Sequence, residues 1–359
     1  MGLTLHKGGY EVTLIGVQKK ESLPLPPLPY HIHRIPVWFS RGKLFYLEFT
    51  MKLLFYLLFQ SSFHIYVAND LDTLLPIFLA AKWKGNRPIV YDAHEYFVGM
   101  VDLLNKPITR KLWESMEKLL LPKVPYRITV TEGTKRLYES QYKGDWLVIK
   151  NYPLREWAEP PSPLSSPPSR WILIYHGVIK KGRFLDEIVE TFFFLPHEHF
   201  VLWIIGNGPY LPQLKQKIEL LPFKEQIICY GPVPHVQLKE YLKRAHIGLS
   251  FLNLNAPNYQ ESLPTKVLDY MAFGIPFLST PIPLLNNILR EKPAGILVPS
   301  PHPETIAHHI QELTTNLCLY NTLRTNGIEL IQRKLNWESQ EPTLLAFYNQ
   351  IQTPCQKSK

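Results

Sequence analysis

QESLPTKVLDYMAFGIP, residues 260–276, follows the apolar run HIGLSF (246–251) and a polar loop, and it reads as a helix with both ends marked. Ser262 is the candidate N-cap, Pro264 suits the first turn where its missing N–H costs nothing, and Gly274 suits the close of the helix. Val267, Leu268, Met271 and Ala272 recur at the spacing of a buried face. Lys266 and Asp269, three residues apart, share a different face. A helix that starts behind a strand offers backbone N–H groups to an anion, and Lys266 stands beside them, as at a diphosphate site. Asp269, one turn deeper, suits the hydroxyls of a ribose. Glu261, just ahead of the helix, suits the hydroxyls of a sugar beyond the phosphates. On spacing alone, a solvated Lys–Asp pair worth about 0.2–0.5 kcal/mol explains as much. The surroundings decide between the two.

Those surroundings are a regular alternation of short apolar runs with helical patterns. Strands are expected at EVTLIG (11–16), HIYVA (64–68), PIVYD (88–92), RITVT (127–131) and WLVIK (146–150) in the first half. In the second half they are WILIY (171–175), FVLWII (200–205), QIICY (226–230), HIGLSF (246–251) and PFLST (276–280). Helical patterns fall between them, which argues for parallel sheets covered on both faces and for two doubly wound, Rossmann-like α/β domains. The expected division is a first domain over 1–157, a linker over 158–169 containing EPPSPLSSPP, a nucleotide-binding domain over 170–335, and a closing helix over 336–359 that returns to the first domain. Ligands of open α/β sheets bind beyond the carboxyl ends of the strands. Three loops of the second domain lie there: HGVIKKGR (176–183), GNGP (206–209) and NLNAPNYQESLP (253–264).

Composition limits the partners. Apolar residues make up 45% of the chain and charged residues 19%, as in a globular protein. Lys plus Arg exceed Asp plus Glu by nine (39 against 30), an excess that attracts phosphorylated small molecules, anionic lipid or nucleic acid. No basic block or Cys/His finger supports the last of these. Three scattered cysteines, Cys229, Cys318 and Cys355, imply no disulfide framework and fit a reducing cytoplasm. The segment RGKLFYLEFTMKLLFYLLFQ (41–60) has two readings: a buried helix of the first domain, which is favoured, and an amphipathic face lying on a membrane.

Glu261 to Asp269, continuing through Tyr270-Met271-Ala272-Phe273-Gly274-Ile275-Pro276, resembles the Glu-x7-Glu motif of retaining family 4 glycosyltransferases of the GT-B fold. YDAHEYF (91–97) is similar to that family's D-x-H-E segment, and YHGVIKKGR (175–183) to the loop that carries its basic diphosphate residue. The resemblance covers essentially the whole chain. It implies two Rossmann-like domains facing across a cleft and a sugar moved from a nucleotide-diphosphate-sugar to an acceptor hydroxyl, with retention and without metal or cofactor. Arg183 and Lys266 would neutralise the leaving diphosphate, Glu261 hold the donor sugar, and His94 stand in the cleft beside the reacting sugar. Gly177, Gly206, Asn207, Gly208, Ser262, Leu263 and Asp269 would line the donor. A glycan or lipid-linked acceptor, envelope glycan or glycolipid synthesis, and work in the cytoplasm at the inner face of the membrane are expected to follow.

Two departures stand out. Asp269 replaces the second glutamate, one methylene shorter. The chain also starts inside the helix that normally follows the family's first strand, so that strand is expected to be missing from the first sheet. A relative that binds nucleotide or a protein partner without turnover is the alternative. A dinucleotide-binding oxidoreductase is disfavoured because Gly206-Asn207-Gly208 lacks the third glycine of that fingerprint.

Overall fold

The computed structural model describes residues 1–352 apart from 21, 23, 26, 101, 102, 104, 105, 159–162 and 256. The chain divides into two compact units, one formed by Met1–Lys150 with the residues from Gln340 onward, the other by Asn151–Ser339.

The first unit runs α1 (Gly2–Lys7), β1 (Thr13–Gln18), β2 (His31–Pro36), α2 (Gly42–Phe59), β3 (Tyr66–Asn69), α3 (Leu71–Trp83), β4 (Ile89–Ala93), α4 (Pro107–Leu120), β5 (Tyr126–Thr129), α5 (Glu132–Glu139) and β6 (Leu147–Val148). All its strand pairs are parallel, and they form two sheets rather than one, β1-β2 and β3-β4-β5-β6. The break lies between β1 and β3, where the family resemblance puts its first strand. Every residue of β4 is buried, as expected for a parallel strand covered on both faces. β2, HIHRIP, was not anticipated, because a short run with two histidines and an arginine has no apolar alternation to betray it. Arg127 is buried and donates to three carbonyls, those of Val124 and Lys143 at 2.8 Å and Leu121 at 2.9 Å, so its charge is solvated by backbone.

The second unit runs β7 (Trp171–His176), α6 (Leu185–Glu190), β8 (Phe200–Ile205), α7 (Leu211–Glu219), β9 (Ile227–Gly231), α8 (His235–Arg244), β10 (Ile247–Ser250), α9 (Thr265–Ala272), β11 (Phe277–Ser279), α10 (Pro283–Glu291), β12 (Gly295–Leu297), α11 (Pro303–Thr315) and α12 (Leu317–Arg333). Its parallel sheet has the order β12-β11-β10-β7-β8-β9. Side chains of the central strands alternate between two apolar cores: Leu173, Tyr175, Leu202 and Ile204 enter one, Ile174, Val201, Trp203 and Ile205 the other. From β7 the chain builds outward to β8 and β9, then returns to build β10, β11 and β12 on the other side. The crevice between β7 and β10 is therefore the topological switch point, where open α/β sheets take their ligands.

The proline-rich stretch is not where the units part. Residues 151–158 belong with the second unit, held by Trp337 N–H to the Pro153 carbonyl (2.8 Å) and Arg155 N–H to Glu338 (2.9 Å). Beyond the undescribed 159–162, Leu164 is fixed through both its N–H and its carbonyl by the Asn321 amide, each at 2.9 Å. The last helix, α13 (Glu341–Gln352), packs on the first unit, where Glu341 accepts from Thr4 at 2.7 Å and Tyr348 meets Tyr10 edge-on.

Candidate active site

α9 starts and stops for different reasons than its sequence suggested at one end and for the same reason at the other. Pro264, not Ser262, is the N-cap residue, and no side chain caps the helix. Ser262 instead donates its hydroxyl to the Tyr259 carbonyl at 3.1 Å, which shapes the loop ahead of the helix. In the first turn Val267 N–H turns back to the Pro264 carbonyl at 3.1 Å, and no side chain caps the N–H groups of Thr265 and Lys266 ahead of it. At the other end Gly274 has φ +60°, with Gly274 N–H to the Met271 carbonyl (3.1 Å) and Ile275 N–H to the Tyr270 carbonyl (2.8 Å), a Schellman motif. Val267, Leu268, Met271 and Ala272 are buried together with Tyr270. The Tyr270 hydroxyl lies 3.1 Å from the carbonyl of Ile174 on β7 and 3.2 Å from that of Leu249 on β10. One phenol therefore seats α9 over the switch point.

That seat fixes where Lys266 goes. Its side chain crosses the loop after β7 so closely that a Cβ on Gly177 would sit 2.8 Å from Cε and 2.9 Å from Nζ. Gly177 also has φ +116°, which side chains rarely adopt, so both space and backbone require glycine. Lys266 Nζ stands 5.2 Å from the Tyr175 ring centroid. The Arg183 guanidinium lies 4.9 Å and Lys180 Nζ 5.8 Å from the ring centroid of Tyr259. Burial first, then the charges of Arg183 and Lys180, push the Lys266 ammonium down to about 7. Asp269 is pushed up by burial, with Lys266 opposing. Three cations share this corner with one reluctant carboxylate, so an anion placed among them is favoured. Arg183 Nε and the Tyr259 hydroxyl are buried without a hydrogen-bond partner among the described residues.

The loops beyond β7, β8 and β10 are tied to one another. Gly177 N–H reaches the Ile205 carbonyl at 2.8 Å, Ile179 N–H that of Asn207 at 2.9 Å, and Asn253 N–H that of Gly182 at 3.0 Å. A Cβ on Gly206 would fall 1.9 Å from the Gly177 carbonyl oxygen, and one on Gly208 would fall 2.1 Å from that of Ile179. These glycines let loop meet loop. The Asn207 side chain accepts from Gly208 N–H at 2.8 Å and closes the turn. Leu263 packs against the core beneath α9, and Glu261 lies in the loop leading to that helix.

His176 was missed in the sequence. It ends β7, is buried, and brings Nε2 to 3.6 Å from Asp269 Oδ2. Its place immediately before Gly177, in a loop already singled out, was the available signal.

His94 alone among the expected residues belongs to the first unit. It follows β4, with Nε2 3.3 Å from the buried Asp92 carboxylate and its N–H donating to Asp70 at 2.8 Å. The hydrogen bond to Asp92 raises its pKa, and burial pushes Asp70 up to about 6. Asp70 has φ +58°, a conformation uncommon outside glycine, at the corner where β3 turns into α3.

Two parallel α/β units, the second with clustered cations and a helix start at its switch point, have the layout of paired nucleotide-binding α/β domains. The family described as glycosyl transferases group 1 matches residues 160–330, and that described as glycosyltransferase family 4 matches residues 1–151. The chain belongs to the group 1, family 4 glycosyltransferases of the GT-B fold. Over 290 residues it is 21% identical to the chitobiosyldiphosphodolichol beta-mannosyltransferase of Candida albicans, covering 71% of this chain and 61% of that protein. Across the curated relatives it matches, the aligned stretch spans between 20% and 61% of their length. Among solved structures, sucrose-phosphate synthase of Thermosynechococcus elongatus superposes with a TM-score of 0.75 at 18% identity, covering 98% of this chain and 91% of that one. Anabaena HepE, solved with UDP and glucose, gives 0.70 at 12% identity, covering 89% and 86%.

Proposed function

We propose that this chain transfers a sugar from a nucleotide-diphosphate-sugar to an acceptor hydroxyl, as a hexosyltransferase, with retention at the anomeric carbon. The observation that carries the reading is Lys266 laid across Gly177 beside Arg183, over the switch point of the second unit. A nucleoside diphosphate gains negative charge as it leaves, and fixed cations with a helix start stabilise that charge without a metal. Lys266 and Arg183 take that role. Asp269, backed by His176, accepts from the ribose hydroxyls, and Glu261 from those of the donor sugar. His94, kept basic by Asp92, acts beside the reacting sugar and acceptor. The acceptor is a glycan or a lipid-linked molecule of envelope glycan or glycolipid synthesis, met in the cytoplasm at the inner face of the membrane. The Candida albicans relative, named for a dolichol-linked substrate, and the basic balance of this chain support that acceptor class.

Incubation with UDP-, GDP- and ADP-sugars, read by release of the nucleoside diphosphate and by the proton NMR coupling of the anomeric product, tests the reading. Release from one donor, with the product keeping the donor's anomeric configuration, is the expected result. Binding of a nucleoside diphosphate with no turnover of any donor overturns it in favour of a non-catalytic nucleotide binder.

A further inference from the structure

We infer that the outer side of the helical layer α2-α3-α4 of the first unit is a membrane-docking face, and that its partner is an anionic phospholipid surface. This deepens the reading above by naming where a membrane-borne acceptor is met, but it rests on observations of its own.

β3, β4, β5 and β6 are neighbours in chain order, so their right-handed crossovers put α3, α4 and α5 on one face of the sheet. α2 packs beside α3, and its Tyr46 meets Trp113 of α4 edge-on at 5.4 Å. The three helices α2, α3 and α4 are therefore one layer. α2 is apolar on opposite sides. Phe49, Leu53 and Leu57 enter the core, while Leu44, Leu47, Met51, Phe55 and Phe59 form a second stripe at helical spacing that is exposed. A helix apolar all round is ordinarily buried, yet Phe59 is 86% exposed. α4 repeats the pattern with Ile108, Leu112 and Leu119 exposed, and α3 adds Leu79 and Trp83. Trp38, 85% exposed, stands just ahead of α2. Exposed apolar stripes on three adjacent helices exceed the scattered single residues of an ordinary surface.

Charge selects the partner. The acids of the three helices are Glu48, Asp72, Glu114 and the buried Glu117; Glu48 and Glu114 pair within their own helices, with Lys52 at 2.7 Å and Arg110 at 2.8 Å, and Asp72 is half-buried at the start of α3. Arg41, Lys43, Lys111 and Lys118 are exposed, which leaves the layer positive. A second copy docked through the same face would set these cations against one another. An anionic bilayer neutralises them while its acyl boundary takes up the leucines and phenylalanines, with Trp38 and Trp83 at the depth tryptophan prefers. No helix among the described residues is long and apolar enough to cross a membrane, so α2 lies on the surface rather than through it.

The test is flotation of the whole protein with vesicles of phosphatidylcholine alone and of equimolar phosphatidylcholine and phosphatidylglycerol, with sedimentation in the absence of lipid. Flotation with the phosphatidylglycerol vesicles, weakened by salt, is expected, together with a blue shift of tryptophan emission. Replacing Lys43, Lys111 and Lys118 with glutamine should weaken partition by about fivefold for each charge removed. The triple change Leu47→Ser, Phe55→Ser, Phe59→Ser should abolish it while the far-ultraviolet circular dichroism and a single cooperative melt are kept, which shows the fold intact. Vesicle binding that survives both sets, or no binding to anionic vesicles, overturns the proposal. So does a dimer in the absence of lipid that the serine variant dissolves, which would give the face to a second copy. None of these readouts needs sugar transfer, so failure of the enzymatic reading would be seen separately.

Discussion

Replacing Lys266 with methionine should do two opposite things at once. In the folded protein the ammonium is held down to about 7 by burial and by Arg183 and Lys180, against 10.5 for a free lysine. A lysine with a lowered pKa opposes folding. The whole cost is present below pH 7 and is relieved as pH rises from 7 to 10.5. The full interval, 10.5 less 7, corresponds to about 5 kcal/mol at 1.36 kcal/mol per unit, an upper bound because Asp269 shares the burial. A gain of about 1–2 kcal/mol at neutral pH is expected, seen as a Tm higher by roughly 2–4 °C per kcal/mol. The same change removes a charged donor from the diphosphate, worth about 1.5–3 kcal/mol. Whichever of UDP, GDP and ADP the parent binds should therefore bind about 10- to 150-fold more weakly by titration calorimetry. The parent's affinity should also fall as pH rises above 7, because the anion prefers the protonated lysine and the free protein has begun to lose that proton. A methionine variant that binds this nucleotide as tightly as the parent would refute the placement of the diphosphate on Lys266, and one that melts lower would refute the cost assigned to burying its ammonium.

Gly177→Ala should lower Tm and weaken binding of the nucleoside diphosphate together, since the methyl group meets Lys266 Cε at 2.8 Å and φ is +116°. A loss of about 1 kcal/mol or more is expected, and unchanged melting and binding would remove the steric argument. Glu117→Gln should flatten a pH dependence. Burial raises that carboxyl to about 7 from 4.5, so the stability present below pH 4.5 is lost as pH climbs to 7. A parent urea midpoint that does not fall over this interval contradicts the raised value. The Tyr142 hydroxyl, 2.7 Å from Glu117, should find the same acceptor in glutamine. Tyr270→Phe leaves the Ile174 and Leu249 carbonyls without their shared donor, and should cost about 1–3 kcal/mol in urea unfolding. His94→Asn should lower kcat without changing affinity for the nucleoside diphosphate, and equal turnover in the two proteins would exclude His94 from the reaction.

What the sequence by itself determined is local. Strand and helix periodicities located most elements of both units, and Gly274 marked the end of α9 because a left-handed residue there is a matter of backbone sterics alone. The strand ends pointed to the loops at 176–183, 206–209 and 253–264 for the same reason, since helix and strand limits are set by near neighbours in the chain. β2 escaped because its pairing with β1, not its own composition, makes it a strand. Tertiary structure decided the rest. The order β10-β7-β8 sets the loops after β7 and β10 on either side of the switch point, and no periodicity encodes strand order. Only then does Lys266 lie against Gly177, and Asp269 against His176. Ser262 read as a cap because its residue type favours that role, whereas the turn through Pro264 directs its hydroxyl backward to Tyr259. The second apolar stripe of α2 lies in a run whose favoured reading from sequence is a buried helix. Burial is a property of what packs against a helix, and in this fold the sheet covers one side and leaves the other open.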